Sequence, residues 1–306
     1  MIEVEQLSKR YGDTLALSSV DLSVAAGQVL GLIGHNGAGK TTLVEILSTL
    51  VRPSAGTARV AGADVVGSPS RVRRSIGLTG QFATVDDTLS GTGNLVLLAR
   101  LSGTGRRAAR VRAAELLEQF GLTQAADRRV RTYSGGMRRR LDLAASLVTA
   151  PAVLFLDEPT TGLDPTSRRA VWDQVAKLAE QGTTILLTTQ YLEEADQLSD
   201  RIVVLAGGRV VAGGTPADLK QQVGRRAIVV RLPPDAPVVR VIEHLAGRGL
   251  DVAQRNESAE LTVVDASSAT IVQVVRALDD LGIEAERLEV AEPSLDDVFA
   301  TLGEAR

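Results

Sequence analysis

The sequence predicts an α/β fold with a mixed sheet, followed by a small α+β domain, and three observations predict it. Residues 28–33 run nearly all apolar into a glycine-rich loop, after which 41–50 take up helical spacing. Strand-like and helix-like segments then alternate from 153 to 206, the pattern of a sheet flanked by helices. Near Gly224 the pattern changes to a short series of strands and helices that fills the rest of the 306 residues. A chain of this length suits two domains, expected at 1–223 and 224–306.

In chain order, Ile2 and Val4 alternate with glutamates, and Val20, Leu22 and Val24 alternate with Asp21 and Ser23. That period of two predicts a half-exposed antiparallel layer. The apolar run at 28–33 is a buried parallel strand. Between Asn94 and Leu122 apolar positions recur at helical intervals, predicting a helical subdomain whose outer face carries Arg106, Arg107, Arg110 and Arg112; these arginines read as a solvated face. Residues 153–157 form another buried strand, and 202–206 with 209–212 flank Gly207 and Gly208 as a hairpin. In the second domain 227–232 is a strand broken by Pro233 and Pro234, and 238–245 is a helix. Residues 250–255 pair with 261–264, 271–281 is a helix, and 283–290 is the last strand. This β-α-β-β-α-β order predicts a ferredoxin-like domain. A tail at 293–302 ends in a short helix.

Composition removes several functions. With 34 basic and 37 acidic side chains the net charge is −3, so no global basic field exists to hold nucleic acid. The absence of cysteine excludes disulfides, thiolate metal sites and a cysteine nucleophile. His35 and His244 alone are too few for a histidine metal site or a triad. A membrane span needs roughly 18–20 apolar residues in sequence, and the longest runs are far shorter. The acidic amino terminus is no signal peptide, so the expectation is a cytoplasmic protein that serves a membrane only through a partner.

Gly34, His35, Asn36, Gly37, Ala38, Gly39, Lys40 and Thr41, with Thr42 after them, satisfy G-x-x-x-x-G-K-[ST] between a buried strand and a helix. Glycines let successive backbone N–H groups turn inward around a β-phosphate. Lys40 supplies a positive charge for the β- and γ-phosphates, the Thr41 hydroxyl can ligate Mg²⁺, and the helix start reinforces the anion site. His35 is expected to point outward. The strand at 153–157 ends in Asp157 and Glu158. Asp157 is positioned to hold Mg²⁺, and Glu158 to polarise the water that attacks the γ-phosphate. The alternative is a pair of turn acids before Pro159.

Tyr133-Ser134-Gly135-Gly136-Met137 precedes this strand, and Thr161-Gly162-Leu163-Asp164 follows it. The ordering resembles the nucleotide-binding subunit of ABC transporters, whose usual signature is Leu-Ser-Gly-Gly-Gln; Tyr133 and Met137 depart from it. The resemblance implies a P-loop ABC-type domain that binds ATP and Mg²⁺. It further implies a head-to-tail homodimer in which Ser134, Gly135 and Gly136 meet the γ-phosphate of the ATP on the other subunit. Gln81 matches the loop that touches Mg²⁺ and senses a transmembrane partner, and Asp164 matches the acid that contacts the opposite site. Tyr11 matches the aromatic that stacks on adenine, the alternative being a strand-end core residue. Gln190 stands where the family usually has a histidine that bonds the γ-phosphate; its amide can donate to that phosphate, the alternative being a cap on the helix that follows.

The segments 188–196 and 292–299 resemble the daunorubicin-resistance type of drug exporter, whose accessory domain would cover 224–306. The implied function is an ATPase subunit at the cytoplasmic face of the membrane that powers a separate permease for a drug-like or lipid-like compound. Thr92-Gly93 stands where that family usually has Arg-Glu. A DNA-maintenance ATPase would need a long coiled coil between Lys40 and Ser134, where no sustained heptads occur. A translation factor of the two-cassette kind would need a second phosphate loop.

Overall fold

The alternation at the amino terminus forms the layer it predicts. In the computed structural model, which describes residues 1–80, 85–223, 227–254, 259–291 and 295, β1 (Ile2–Tyr11) pairs antiparallel with β2 (Thr14–Val24). Ile2, Val4, Val20 and Leu22 are buried, while Glu3, Asp21 and Ser23 are exposed. The apolar run forms β3 (Val29–Ile33), buried at every residue, and α1 (Lys40–Leu47) follows the glycine loop. β4 (Ala55–Val60) and β5 (Ala63–Asp64) complete an antiparallel sheet of order β2-β1-β4-β5, and α2 (Pro69–Ser75) leads into β6 (Ile76–Thr79).

The helical region expected around 94–122 is two helices, α3 (Gly91–Leu101) and α4 (Arg106–Gln119), parted at Gly103 and Gly105, and α5 (Gly135–Ser146) packs against both. Arg106, Arg107 and Arg110 are solvated as expected. Arg112 is half-buried and donates to the Leu147 carbonyl at 2.9 Å.

Strand and helix then alternate through β7 (Val153–Asp157), α6 (Pro165–Glu180), β8 (Thr184–Thr189), α7 (Leu192–Leu198), β9 (Arg201–Ala206) and β10 (Arg209–Gly214), followed by α8 (Pro216–Val223). The six-stranded sheet has the order β10-β9-β3-β8-β7-β6, parallel except at the β9–β10 hairpin. Both hairpin glycines have positive φ, 54° at Gly207 and 75° at Gly208, as a two-residue turn of this kind requires. Alternate residues of β7 serve opposite layers. Leu154 and Leu156 join a core with the helices α3 to α6, whereas Val153 and Phe155 join one with α1 and the antiparallel sheet. This arrangement brings the carboxyl ends of β3, β7 and β8 side by side, where open α/β sheets bind ligands.

The chain divides at Pro216, into Met1–Pro216 and Ala217–Arg306, rather than at Gly224. Gly213, Gly214 and Pro216 punctuate the chain before Gly224 does, so the body of α8 belongs to the second unit. That unit contains β11 (Ala227–Arg231), α9 (Val238–Gly247), β12 (Val252–Gln254), β13 (Glu260–Val264), α10 (Ser268–Asp280) and β14 (Arg287–Ala291). Its sheet runs β12-β13-β11-β14, antiparallel throughout, with Ile228, Val230, Leu261 and Val263 packed on Val241, Leu245, Val274 and Leu278. This is the expected ferredoxin-like topology. The last strand starts at Arg287 rather than Ile283, because the Ile283 N–H closes the end of α10 on the Leu278 carbonyl and its side chain packs on the core. Of the expected tail helix only Leu295 lies within the described residues, buried and helical.

Candidate active site

The loop after β3 folds around its own lysine. Lys40 opens α1 and is only 5% exposed; its Nζ donates to the carbonyls of Gly34 at 2.6 Å and His35 at 3.2 Å. Burial pushes the Lys40 amine below its ordinary range, and the charges of Glu158 and Asp157 pull the other way. Gly39, the N-cap, has φ 106°, and a Cβ there would meet the Ala16 carbonyl oxygen at 2.6 Å, so conformation and space both demand glycine. The first N–H groups of a helix have no intrahelical partner, which leaves those at the start of α1 available to an anion. A cavity of about 370 Å³ is lined by Tyr11, Ala16, Asn36, Gly37, Ala38, Gly39, Lys40, Thr41, Thr42 and Glu158. Gly34 and His35 do not line it, and His35 is exposed as expected. Tyr11 is 45% exposed with the Lys9 ammonium 4.8 Å from its ring centre, which removes the strand-end core alternative.

Asp157 ends β7 almost fully buried, with Oδ1 accepting the Thr188 hydroxyl at 2.5 Å. Its other oxygen has no hydrogen-bond partner among the described residues. Glu158 follows in the left-handed region, φ 48°, rare for a side chain of its kind. Its N–H donates to the Thr188 carbonyl at 3.0 Å, and Oε2 accepts from Thr161 Oγ1 at 3.2 Å. The turn therefore lifts Glu158 out of the strand and onto the cavity wall. Gln190 lies just past β8, two residues beyond Thr188, and is exposed. The helix after it is capped at Tyr191 with no side-chain cap, so Gln190 is not the cap. Gln81 lies outside the described residues.

Ser134 is the N-cap of α5; its hydroxyl accepts the Met137 N–H at 3.2 Å, and both Ser134 and Gly135 are exposed. Gly136 is buried against the start of α6, where a Cβ would meet Ser167 Oγ at 2.4 Å. Asp164 caps α6, accepting the Ser167 N–H at 2.9 Å and its hydroxyl at 2.6 Å, and these bonds hold its carboxyl below the usual carboxylate range. Neither this pair of helix starts nor Asp164 lines the phosphate-loop cavity of the same chain. The departures from the usual signature are accommodated by packing. The Tyr133 hydroxyl donates to the Ala125 carbonyl at 2.7 Å in a space that Gly91 leaves open, and Met137 packs on the helical core. Thr92 bonds the Ala126 carbonyl and Asp127, and the Gly93 N–H is capped by Ser90.

Sequence reasoning missed Arg139. It sits one turn into α5, and its guanidinium donates to the carbonyls of Gly80, Asp157, Glu158 and Pro159. A run of three arginines on a helix, Arg138 to Arg140, carries no signal of which one is turned inward.

A glycine loop at a helix start, a buried lysine and two acids at the neighbouring strand end define a P-loop nucleotide-binding domain. The family described as ABC transporter matches residues 17–161, and that described as ATP-binding protein DrrA1-3-like, C-terminal domain, matches residues 214–302. The chain is 53% identical to the daunorubicin resistance ATP-binding protein DrrA2 of Streptomyces coeruleorubidus over 98% of this chain and 94% of that one. It is 49% identical to the doxorubicin resistance ATP-binding protein DrrA of Mycobacterium tuberculosis, over 98% and 93%. Among solved structures, an ATP-binding subunit of an ABC transporter superposes with a TM-score of 0.65 at 29% identity, covering 72% of this chain and 92% of that one. The chain belongs to the ATP-binding subunits of ABC transporters, an ATP-hydrolysing family, and is similar to the daunorubicin-resistance type.

Proposed function

We propose that this cassette hydrolyses ATP between two head-to-tail copies of itself and thereby drives a separate transmembrane permease that exports a drug-like or lipid-like compound. Domains of this family bind ATP with Mg²⁺, form dimers with ATP at the interface and pair with a membrane permease. The observation that carries the reading is the cavity in which the phosphate loop and Glu158 share one wall.

The residues fit the nucleotide and its metal. Nearly buried Asp157, whose second carboxylate oxygen has no hydrogen-bond partner among the described residues, and Thr41, which lines the cavity, offer hard oxygens of the kind Mg²⁺ takes together with phosphates. Bound there, Mg²⁺ would neutralise charge on the β- and γ-phosphates. Lys40 and the N–H groups from Gly37 to Thr42 hold the phosphates, and Tyr11 offers its ring to the adenine. Glu158 accepts the proton of the attacking water, and the Gln190 amide donates to the γ-phosphate. Ser134, Gly135 and Gly136, with Asp164, serve the site of the partner copy. The exposure of Ser134, Gly135 and Asp164 at two helix starts, away from the cavity of their own chain, supports this. A dimeric bacterial ABC transporter cassette superposes with a TM-score of 0.64 at 26% identity, which supports the pairing.

Relatives over the whole chain named for daunorubicin resistance support a drug-like cargo. The Nod factor export ATP-binding protein I of Burkholderia orbicola, 42% identical over 77% of this chain and 78% of that one, supports the wider class. Among the described residues no helix is long and apolar enough to cross a membrane, which supports peripheral attachment through the permease at the cytoplasmic face. The test is transport in inside-out vesicles carrying this chain together with a candidate permease. ATP-dependent accumulation of daunorubicin that is lost with Glu158→Gln is the expected result. Hydrolysis without accumulation would keep the ATPase and discard the drug.

A further inference from the structure

The turn that carries Glu158 is held by a residue from another element. Arg139 Nε donates to the Pro159 carbonyl at 2.5 Å, Nη2 to those of Glu158 at 3.1 Å and Asp157 at 3.3 Å, and Nη1 to that of Gly80 at 3.2 Å. Three consecutive carbonyls leaving a strand do not normally converge, because extended backbone points them to alternate sides. The left-handed backbone at Glu158 makes them converge here, and a planar fork of fixed donors suits that arrangement. The fourth carbonyl belongs to Gly80, immediately after β6.

Among the described residues the hydrogen-bond partners of the guanidinium are neutral carbonyls, which do not balance its charge. Burial works against the Arg139 cation, while the nearby charges of Asp142, Glu194 and Asp157 favour it. Glu194, fully buried on α7, grips the next residue of the same turn: its Oε1 accepts from Thr160 Oγ1 at 2.8 Å and from Trp172 Nε1 at 2.9 Å. A half-buried guanidinium from α5 and a buried carboxylate from α7 thus tie down successive residues after the acid.

We propose that Arg139 is a positioning residue for hydrolysis: by gathering these carbonyls it sets the backbone that aims Glu158, and it couples that aim to the helix beginning at Ser134. The proposal rests on the reading of Glu158 as the base. It goes further by giving α5 a role in its own chain's chemistry as well as at the partner's site.

A double-mutant cycle on the full chain tests it, with single-turnover hydrolysis, steady-state kinetics and ATP binding measured together. Arg139→Gln should lower kcat about 10–100-fold while KM and ATP affinity stay within about threefold, since a misaimed group costs rate and leaves the phosphate loop intact. Arg139→Lys should recover little, because a point charge cannot span the carbonyls. In the Glu158→Gln background Arg139→Gln should cost nothing further, as there is no base left to aim. The same fold-loss in both backgrounds would overturn the proposal. So would loss of ATP binding in both Arg139 variants, which would make the guanidinium a support of the fold. Parental turnover in Arg139→Gln beside a slow Glu158→Gln would remove this proposal alone. Parental turnover in Glu158→Gln would remove the base reading and this proposal with it.

Discussion

Thr188 serves both acids of the site: its hydroxyl donates to Asp157 Oδ1 at 2.5 Å, and its carbonyl accepts the Glu158 N–H at 3.0 Å. The parallel register sets Asp157 opposite Thr188, so the pairing of β7 with β8 determines which carboxylate oxygen accepts the Thr188 hydroxyl and which has no hydrogen-bond partner among the described residues. Thr188→Val keeps the shape and removes the donor. It should raise the Mg²⁺ concentration for half-maximal ATPase activity about 10–100-fold, as is typical when a partner of a metal ligand is lost. Thr188→Ser should restore it. An unchanged Mg²⁺ titration in the valine variant would separate Thr188 from the metal.

Ser134→Arg places a bulky cation at the exposed start of α5. ATP binding by the phosphate loop should survive, because Ser134 does not line that cavity. ATP-dependent dimerisation and hydrolysis should both disappear. Light scattering with ATP present reads this directly, and a normal dimer would take Ser134 out of the interface.

Gln190 carries no titratable proton near neutrality, whereas an unperturbed histidine changes charge near pH ~6.5. Gln190→Ala should depress turnover with ATP binding largely kept. Gln190→His should stay active and add an inflection near that pH to the rate profile. Parental hydrolysis by the alanine variant would leave Gln190 without a part in the reaction.

Tyr133 is a departure from the usual signature that the structure explains by packing, so its effect belongs to stability. Tyr133→Phe removes the buried hydroxyl and leaves the Ala125 carbonyl with the Arg128 N–H as its remaining donor, which should cost about 1 kcal/mol in denaturant unfolding. ATPase activity should be unchanged. A loss of activity without a loss of stability would give Tyr133 a role at the site.

The sequence shows most clearly what rests on local rules. Period-two alternation marks β1 and β2, unbroken apolar runs mark β3 and β7, and the glycine-lysine loop between strand and helix marks the phosphate site. The order of elements in the second unit was legible for the same reason, each helix and strand having a distinct period. The stretch from 55 to 79 carries no clear period, because β5 has two residues, β6 has four, and α2 is a single short helix rich in arginine. Arg139 was invisible for a different reason. Its role depends on carbonyls brought together by tertiary packing and on the left-handed turn at Glu158, and neither has a pattern in the chain.

In the proposed reaction Glu158 drives hydrolysis in a site completed by a second copy. Light scattering of Glu158→Gln with ATP and Mg²⁺ tests it most directly, run beside a hydrolysis assay. With the base gone, turnover should fall about 10²–10⁴-fold while closure persists, so the variant should accumulate as an ATP-bound dimer that the parent forms only transiently. A variant that remains monomeric with ATP bound would remove the shared site, and one that hydrolyses at the parental rate would remove Glu158 from the reaction.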